Sequence, residues 1–251
     1  MRPYVFINAA MSADGKISAY TRKQIPISGE HDFQRVDRLK YGVDAIMVGI
    51  GTVLSDDPSL TVKSEELRRE RLDLGKDENP IRIVVDSLAR TPVDADILRK
   101  GAGRRIVLVS GSAPGVRLDR LSEAGAEIVV AGEHRVDLAS ALGSLYEMGV
   151  RRLMVEGGGR LNWSLLAQGL VDKLYVYVGN MILGGESSPT LADGTGFSGI
   201  DGACQLELIS LEQMDKGFVV EWQVNHPSLT LTSRGKGLKS PWLIRRQQCR
   251  S

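Results

Sequence analysis

The sequence predicts an α/β fold: a mainly parallel central sheet with helices on both faces and a C-terminal antiparallel hairpin. Between Tyr4 and Val178, short runs rich in β-branched residues alternate with amphipathic segments, which is typical of parallel strands connected by helices. Over residues 205–224 the pattern changes to two strand-like runs around a short polar turn, as in an antiparallel hairpin. We therefore expect one domain over residues 1–224.

Seven strands and four helices are predicted before the hairpin. Apolar runs bounded by turn residues predict strands at residues 4–10, 45–48, 81–86, 105–110, 127–130, 152–156 and 173–178. Apolar residues at helical spacing predict helices at residues 31–41, 116–123, 138–148 and 161–168. In the first helix we expect Phe33, Val36 and Leu39 to face the core. The charged stretch 63–79 is predicted to be a solvated insertion, with a short helix as one alternative.

Composition and charge exclude several classes of protein. A chain of 251 residues with 42% hydrophobic and 25% charged residues is predicted to be globular, neither disordered nor fibrous. No apolar run reaches the ~18 residues of a membrane span, and the first residues lack the layout of a signal peptide, so we expect a cytoplasmic protein without membrane association. Residues 1–224 carry 26 Lys and Arg against 31 Asp and Glu, which argues against nucleic-acid binding.

The last 27 residues differ from the rest. Residues 225–251 carry six Lys and Arg and no Asp or Glu. Their low apolar content predicts a flexible basic tail outside the domain. The two cysteines, Cys204 and Cys249, provide neither a disulfide framework nor a metal cluster. We expect two free thiols and no metal site.

Two glycine-rich segments follow predicted strands. The first, Gly49-Ile50-Gly51-Thr52-Val53-Leu54, begins like a dinucleotide-binding fingerprint, but Leu54 takes the place of the third glycine, which weakens that interpretation. In the second, Gly157, Gly158 and Gly159 stand between a strand that ends in Glu156 and a predicted helix. Uncrowded amides at a helix N-terminus suit a pyrophosphate. The alternative is a tight turn without a ligand.

Charged and polar side chains are predicted at or just after strand ends, at Lys16, Thr52, Asp56, Asp86 and Glu156. The carboxyl ends of parallel strands meet at one edge of the sheet, where α/β proteins bind ligands. Taken alone, Lys16 could be a solvated charge and Asp56 a turn cap. Their convergence predicts a ligand site.

The sequence contains no motif for a metal site, a serine nucleophile or a zinc deaminase. His31 and His134 are predicted to be surface residues, and no G-x-S-x-G elbow surrounds Ser164. No H-x-E with P-C-x-x-C is present, which excludes a zinc nucleobase deaminase in this chain.

Five motifs occur in order: Asn-Ala-Ala-Met-Ser-Ala-Asp-Gly-Lys at 8–16, the glycine run with Asp-Asp-Pro-Ser-Leu-Thr-Val within 48–62, Asn-Pro-Ile-Arg-Ile-Val-Val-Asp-Ser at 79–87, Glu-Gly-Gly-Gly at 156–159 and Gly-Leu-Val-Asp at 169–172. Over about residues 3–224 they resemble the reductases of riboflavin biosynthesis. The resemblance is strongest to the archaeal-type reductases of 2,5-diamino-6-(ribosylamino)-4(3H)-pyrimidinone 5′-phosphate, relatives of the C-terminal domain of bacterial bifunctional deaminase-reductases. It implies a dihydrofolate-reductase-like fold and a homodimer.

The resemblance implies an oxidoreductase that uses NADPH, with NADH as the alternative, on a small-molecule nucleotide. The ribosylamino group would become a ribitylamino group by hydride transfer to C1′, after ring opening to a Schiff base. Reduction would precede deamination, so the pyrimidine would still carry its 2-amino group.

Site residues are implied by the same resemblance. The cofactor site would comprise Thr52, Asp56, Val84, Val85, Asp86, Gly157, Gly158 and Gly159. The substrate would face Lys40, Leu60 and Lys63, together with Lys16 and Glu156. A lysine and a carboxylate at neighbouring strand ends suit proton transfer to the opening ribose, so we predict Lys16 and Glu156 as the catalytic pair.

The sequence differs from the family pattern in two places. At residues 23–28 an apparent one-residue insertion leaves the substrate contacts unassigned, and residues 225–251 have no counterpart in the family. Three other functions stay open: reduction of the deaminated 5-amino-uracil substrate, reduction of a pterin, and non-catalytic nucleotide binding. Basic candidates for the adenosine end of a cofactor are Arg90, Arg104 and Arg105, with ordinary surface positions as the alternative.

Overall fold

The computed structural model describes residues 1–21 and 25–225. These residues form a domain built on one nine-stranded sheet. The strands are β1 (Tyr4–Ser12), β2 (Ala45–Gly49), β3 (Ile81–Val85), β4 (Arg105–Val109), β5 (Glu127–Val130), β6 (Arg152–Gly157), β7 (Lys173–Gly179), β8 (Gln205–Met214) and β9 (Gly217–Asn225). Their order is β5-β4-β3-β2-β6-β1-β7-β9-β8. Strands from β5 to β7 pair in parallel, whereas β9 is antiparallel to both β7 and β8. The predicted fold class and hairpin are confirmed.

Helices connect the parallel strands: α1 (Glu30–Tyr41), α2 (Ile50–Asp56), α3 (Glu65–Asp73), α4 (Asp96–Arg99), α5 (Gly115–Glu123), α6 (Leu138–Glu147) and α7 (Gly159–Ala167). The four predicted helices are present, and α3 is the short helix considered for residues 63–79. The sequence analysis did not predict α2 and α4. The basic tail, apart from Asn225 at the end of β9, and residues 23–24 of the segment 23–28 that carries the apparent insertion lie outside the described residues.

Most of the core lies in two layers, one on each face of the sheet, and Ile27, Tyr177 and Val219 form a third, smaller cluster. Successive side chains of a strand point to opposite faces, so Ile7 packs in one cluster with Leu142 and Leu165, and Phe6 packs in the other with Leu121. Both layers are built on β1, which lies between β6 and β7. The two covered faces account for the nearly continuous apolar runs of the parallel strands.

Two expectations about burial are wrong. Phe33 is 57% exposed, while Val36 and Leu39 pack against the core. Residues three apart on a helix are offset by about 60° around its axis, so a face centred on Val36 and Leu39 leaves Phe33 at its edge. The stretch 63–79 is not wholly solvated either, because Arg71 is 3% exposed and donates hydrogen bonds to the carbonyls of Tyr41, Val43 and Asp77.

The hairpin contacts the rest of the domain through β9, which pairs with β7, and through its turn, and it exposes its outer strand. Asp215, in the turn, accepts hydrogen bonds from the backbone N–H groups of His31 and Asp32 at the start of α1. Strand β8 lies at the sheet edge, and its Leu206, Leu208 and Leu211 are 41–62% exposed. Among the described residues, no helix combines the length and the apolar character needed to cross a membrane.

Candidate active site

A cleft of about 1150 Å³ opens at the carboxyl ends of β1, β2, β3 and β6. Its floor includes Asn8 of β1, Gly49 of β2 and Val85 of β3. The irregular segment between β7 and β8 forms another wall with residues 186–190. The cleft therefore lies at the edge of the sheet where α/β proteins bind ligands.

The structure brings seven of the thirteen predicted site residues to the cleft surface: Thr52, Asp56, Val85, Glu156, Gly157, Gly158 and Gly159. The other six do not line the cleft: Lys16, Lys40, Leu60, Lys63, Val84 and Asp86.

The glycine turn connects β6 to α7 and faces the cleft. Gly157 and Gly158 have φ angles of +110° and +93°, a conformation that side chains rarely adopt. A Cβ at Gly158 would lie 3.1 Å from Thr52 Oγ1, and one at Gly159 would lie 2.5 Å from the carbonyl oxygen of Thr190. The turn therefore leaves its amides uncovered at the N-terminus of α7, which carries the positive end of the helix dipole.

Asp56 presents an unused acceptor. It ends α2, lines the cleft, and its buried Oδ1 has no hydrogen-bond partner among the described residues. Burial raises the pKa of this carboxyl above 3.8, opposed by a hydrogen bond with Ser55. Since buried polar atoms are normally paired, Oδ1 is available to a donor on a ligand.

Glu156 is paired with a cation from α1. Its Oε1 lies 3.0 Å from Nζ of Lys40, and both side chains are largely buried. Lys63 is close enough to Lys40 that burial and the charge of Lys40 together lower its pKa. Lys63 Nζ donates to the hydroxyls of Ser59 and Thr61 at 2.8 and 3.0 Å. Two neighbouring ammonium groups beside hydroxyls form a cationic corner suited to a phosphate.

Asp37 fixes the backbone of that corner. Both of its carboxylate oxygens accept hydrogen bonds, from the N–H groups of Lys63 and Ser64, each at 2.7 Å. Since Asp37 and Lys40 belong to the same helix, α1 positions both lysines.

Lys16 lies against the 186–190 wall of the cleft. It follows β1, and its Nζ donates to the carbonyl of Ser188 at 3.4 Å. Its backbone forms a bridge with Thr190. Ile17, its neighbour, lines the cleft. Lys16 is therefore held by the 186–190 wall, and it forms no hydrogen bond or ion pair with Glu156 among the described residues.

Three predicted residues support the walls from behind. Val84 is buried on the core side of β3, and Leu60 is buried in the same cluster with a positive φ of 52°. Asp86 is fully buried, and its Oδ2 accepts hydrogen bonds from the N–H and hydroxyl of Thr91.

Several cleft residues were not among the predicted site residues, including Asn8, Phe33, Ser87, Arg90, Arg135 and Glu186. Phe33 was expected in the core, and Arg90 was considered only as a basic candidate. The 186–190 wall belongs to an irregular segment without hydrophobic periodicity. Only the density of its Gly, Ser and Pro residues marks it as a loop.

Comparisons with known proteins agree with this architecture. The family model described as the RibD C-terminal domain matches residues 3–220. The 2,5-diamino-6-ribosylamino-4(3H)-pyrimidinone 5′-phosphate reductase of Archaeoglobus fulgidus is 51% identical over 225 residues, covering 90% of this chain and 100% of that protein. The enzyme of the same name from Methanothermobacter thermautotrophicus is 47% identical, covering 89% and 99%.

A solved structure shows the same fold. The pyrimidine reductase-like protein of Corynebacterium diphtheriae superposes with a TM-score of 0.73 at 20% identity, covering 89% of this chain and 92% of that one.

Proposed function

Because the chain belongs to the family of the RibD C-terminal domain, we propose that it reduces 2,5-diamino-6-ribosylamino-4(3H)-pyrimidinone 5′-phosphate in riboflavin biosynthesis. The observation that carries the proposal is the 51% identity over the full length of the Archaeoglobus relative that bears this name. The reaction turns the ribosylamino group into a ribitylamino group.

The proposed cofactor is a reduced nicotinamide dinucleotide, NADPH in preference to NADH, which supplies the hydride when bound. The cleft fits such a group in two respects. The glycine turn forms a cradle that a Cβ at Gly158 would fill, next to a helix N-terminus suited to a pyrophosphate. The unpaired Oδ1 of Asp56 is an acceptor for a hydroxyl or amide of the ligand. We propose that Thr52, Asp56, Val85 and the three glycines contact the cofactor.

We propose that the cationic corner of Lys40 and Lys63 binds the substrate phosphate and that Lys16 and Glu156 handle protons. An opening ribose requires a proton at its ring oxygen, and the resulting imine must stay polarised. In this proposal Lys16, which is held beside the cleft by the carbonyl of Ser188, would turn to the ligand as the proton donor, and Glu156, which lines the cleft, would be the acceptor. Both are suited to general acid–base catalysis, and Val84, Leu60 and Asp86 would act by supporting the walls.

The direct test is nicotinamide absorbance during incubation of the purified protein with the diaminopyrimidine nucleotide and either cofactor. Oxidation that depends on this substrate supports the proposal. If kcat/KM were several-fold higher for the deaminated 5-amino-uracil compound or for a pterin, that compound would be the substrate instead. If the protein bound the cofactor but turned over none of the three compounds, it would be a non-catalytic nucleotide-binding module.

We also propose a homodimer and a cytoplasmic location. Edge strand β8 exposes backbone groups and leucines, and another chain commonly covers such an edge. Sedimentation analysis of the protein and of a Leu208→Glu variant tests the dimer, because only an interface at β8 makes the variant monomeric. Cell fractionation tests the location, and recovery with membranes would contradict it.

A further inference from the structure

On the basis of the proposed function, we infer that Arg90 and Arg135 bind the 2′-phosphate that distinguishes NADPH from NADH. Both guanidinium side chains line the cleft. Arg90 follows β3, and Arg135 lies in the connection between β5 and α6. Both residues are exposed, so their charges have not been taken out of water and remain available to a ligand.

A hydrogen bond brings the two segments together. Ser87 Oγ accepts a hydrogen bond from the backbone N–H of Val136 at 3.0 Å. Arg90 is three residues beyond Ser87, and Arg135 precedes Val136. The turn that presents Arg135 is tight, because Gly132 has a φ of +82° and a Cβ there would overlap the carbonyl oxygen of Arg135. The two arginines therefore lie at the same end of the cleft.

The order of the strands indicates which part of the cofactor reaches that end. Lys16 and Glu156 belong to the β1 and β6 side, so the reacting nicotinamide must lie there. The glycine turn that would hold the pyrophosphate follows β6. The remaining half, the adenosine, must then extend over β2 toward β3, two strand spacings or about 10 Å away. Arg90 and Arg135 are at this position.

Neither arginine forms a close ion pair among the described residues. Arg90 has only a long ion pair, with Nε 3.7 Å from Asp86 Oδ1, and its side chain is 51% exposed. Arg135 has no ion pair among residues 1–21 and 25–225. The planar fork of arginine suits the oxygens of a phosphate, whereas the ribose hydroxyl of NADH offers the two guanidinium groups no negative charge.

The test compares Arg90→Ala, Arg135→Ala and the double variant with Arg69→Ala, which removes an exposed arginine of α3 outside the cleft. Dissociation constants are measured by calorimetry for NADPH and NADH, and for the fragments 2′,5′-ADP and 5′-ADP. We expect each single variant to weaken NADPH and 2′,5′-ADP about tenfold, with NADH and 5′-ADP changed less than about twofold. The control variant should match the wild type.

The outcomes separate this inference from the proposed function. A wild-type protein that binds NADPH and NADH equally, or variants that weaken both cofactors equally, would overturn the role of the arginines, while turnover of the pyrimidine substrate would still support the proposed reaction. Selective loss of 2′,5′-ADP binding would support the arginine pair, even if neither cofactor reduced that substrate and the proposed function failed.

Discussion

The ammonium group of Lys40 lies 3.0 Å from the carboxylate of Glu156, which joins α1 to the end of β6 at the cleft. Both side chains are largely buried, and either charge without its partner would be costly at such a position. Substrate phosphate would compete with Glu156 for Lys40. Binding of the phosphate would then release Glu156 to accept a proton at the moment when substrate is present.

Replacement of Lys16 by Met or of Glu156 by Gln should each lower kcat by at least about tenfold, the low side of the 10²–10⁴-fold typical of a general acid or base, since water can substitute in part. Steady-state kinetics with saturating cofactor measures this. A rise in KM with unchanged kcat would instead indicate that the side chain only binds substrate. Lys76→Met, which removes a lysine outside the cleft, is the control.

Replacement of Gly158 by Val should weaken cofactor binding about ten- to a hundredfold. The φ of +93° adds strain of ~1–3 kcal/mol, and the new side chain would press on Thr52 Oγ1 and cover the amides. Calorimetric titration of the folded variant measures the affinity. Gly115→Ala, at an open position away from the cleft, should bind normally. Unchanged affinity in Gly158→Val would place the pyrophosphate elsewhere.

Asp56→Asn should raise the melting temperature near neutral pH while weakening cofactor binding. The pKa of Asp56 is raised above 3.8 by burial, so its contribution to stability is fully present below the unfolded pKa and is lost as pH rises through the folded pKa. The difference in unfolding free energy between the variant and the wild type should therefore increase as pH rises above about 4, the ordinary pKa of an Asp carboxyl. Thermal unfolding across this range measures it, with Asp119→Asn on exposed α5 as control. A pH-independent difference would contradict this account.

Phe33→Leu should raise substrate KM by about two- to tenfold with little change in kcat, whereas Phe33→Tyr should keep the wild-type KM. An exposed aromatic ring that lines the cleft can stack on the pyrimidine, and ring pairs contribute about 0.5–1.5 kcal/mol. Phe33 precedes Lys40 by two helical turns, about 10 Å along α1, so ring and phosphate would lie along one helix face. Equal KM values in the two variants would exclude stacking.

The strands and the glycine turn could be predicted because each depends on short-range patterns. Apolar runs such as residues 81–86 and 105–110 can be buried only as strands or helices, and Gly157 to Gly159 mark a turn that few other residues permit. Helix α2 was missed because its seven residues include Gly51, which belongs to the segment that was compared with a glycine-rich binding motif. Helix α4 has only four residues, too few for a periodic signal.

The site was harder to predict because its side chains depend on long-range contacts. Lys40 and Glu156, which form an ion pair, are 116 positions apart along the chain. The hydrogen bond from Val136 to Ser87, which brings the segments of Arg90 and Arg135 together, joins residues 49 positions apart. Phe33 is exposed because the rotation of α1 about its axis turns Val36 and Leu39 toward the sheet and leaves Phe33 at the edge of that buried face. None of these relationships leaves a local pattern in the sequence.

The central position of β1 has a consequence for how the chain folds. Its first residues are synthesised first, yet Ile7 pairs with Val155 on one side and with Leu174 on the other. A nascent chain therefore carries an unpaired apolar strand until more than half of the protein has been made. Such non-local parallel pairing is intrinsically slow and leaves an aggregation-prone edge. We expect refolding from denaturant to be slow and sensitive to protein concentration, and nascent chains shorter than about 175 residues to depend on chaperones.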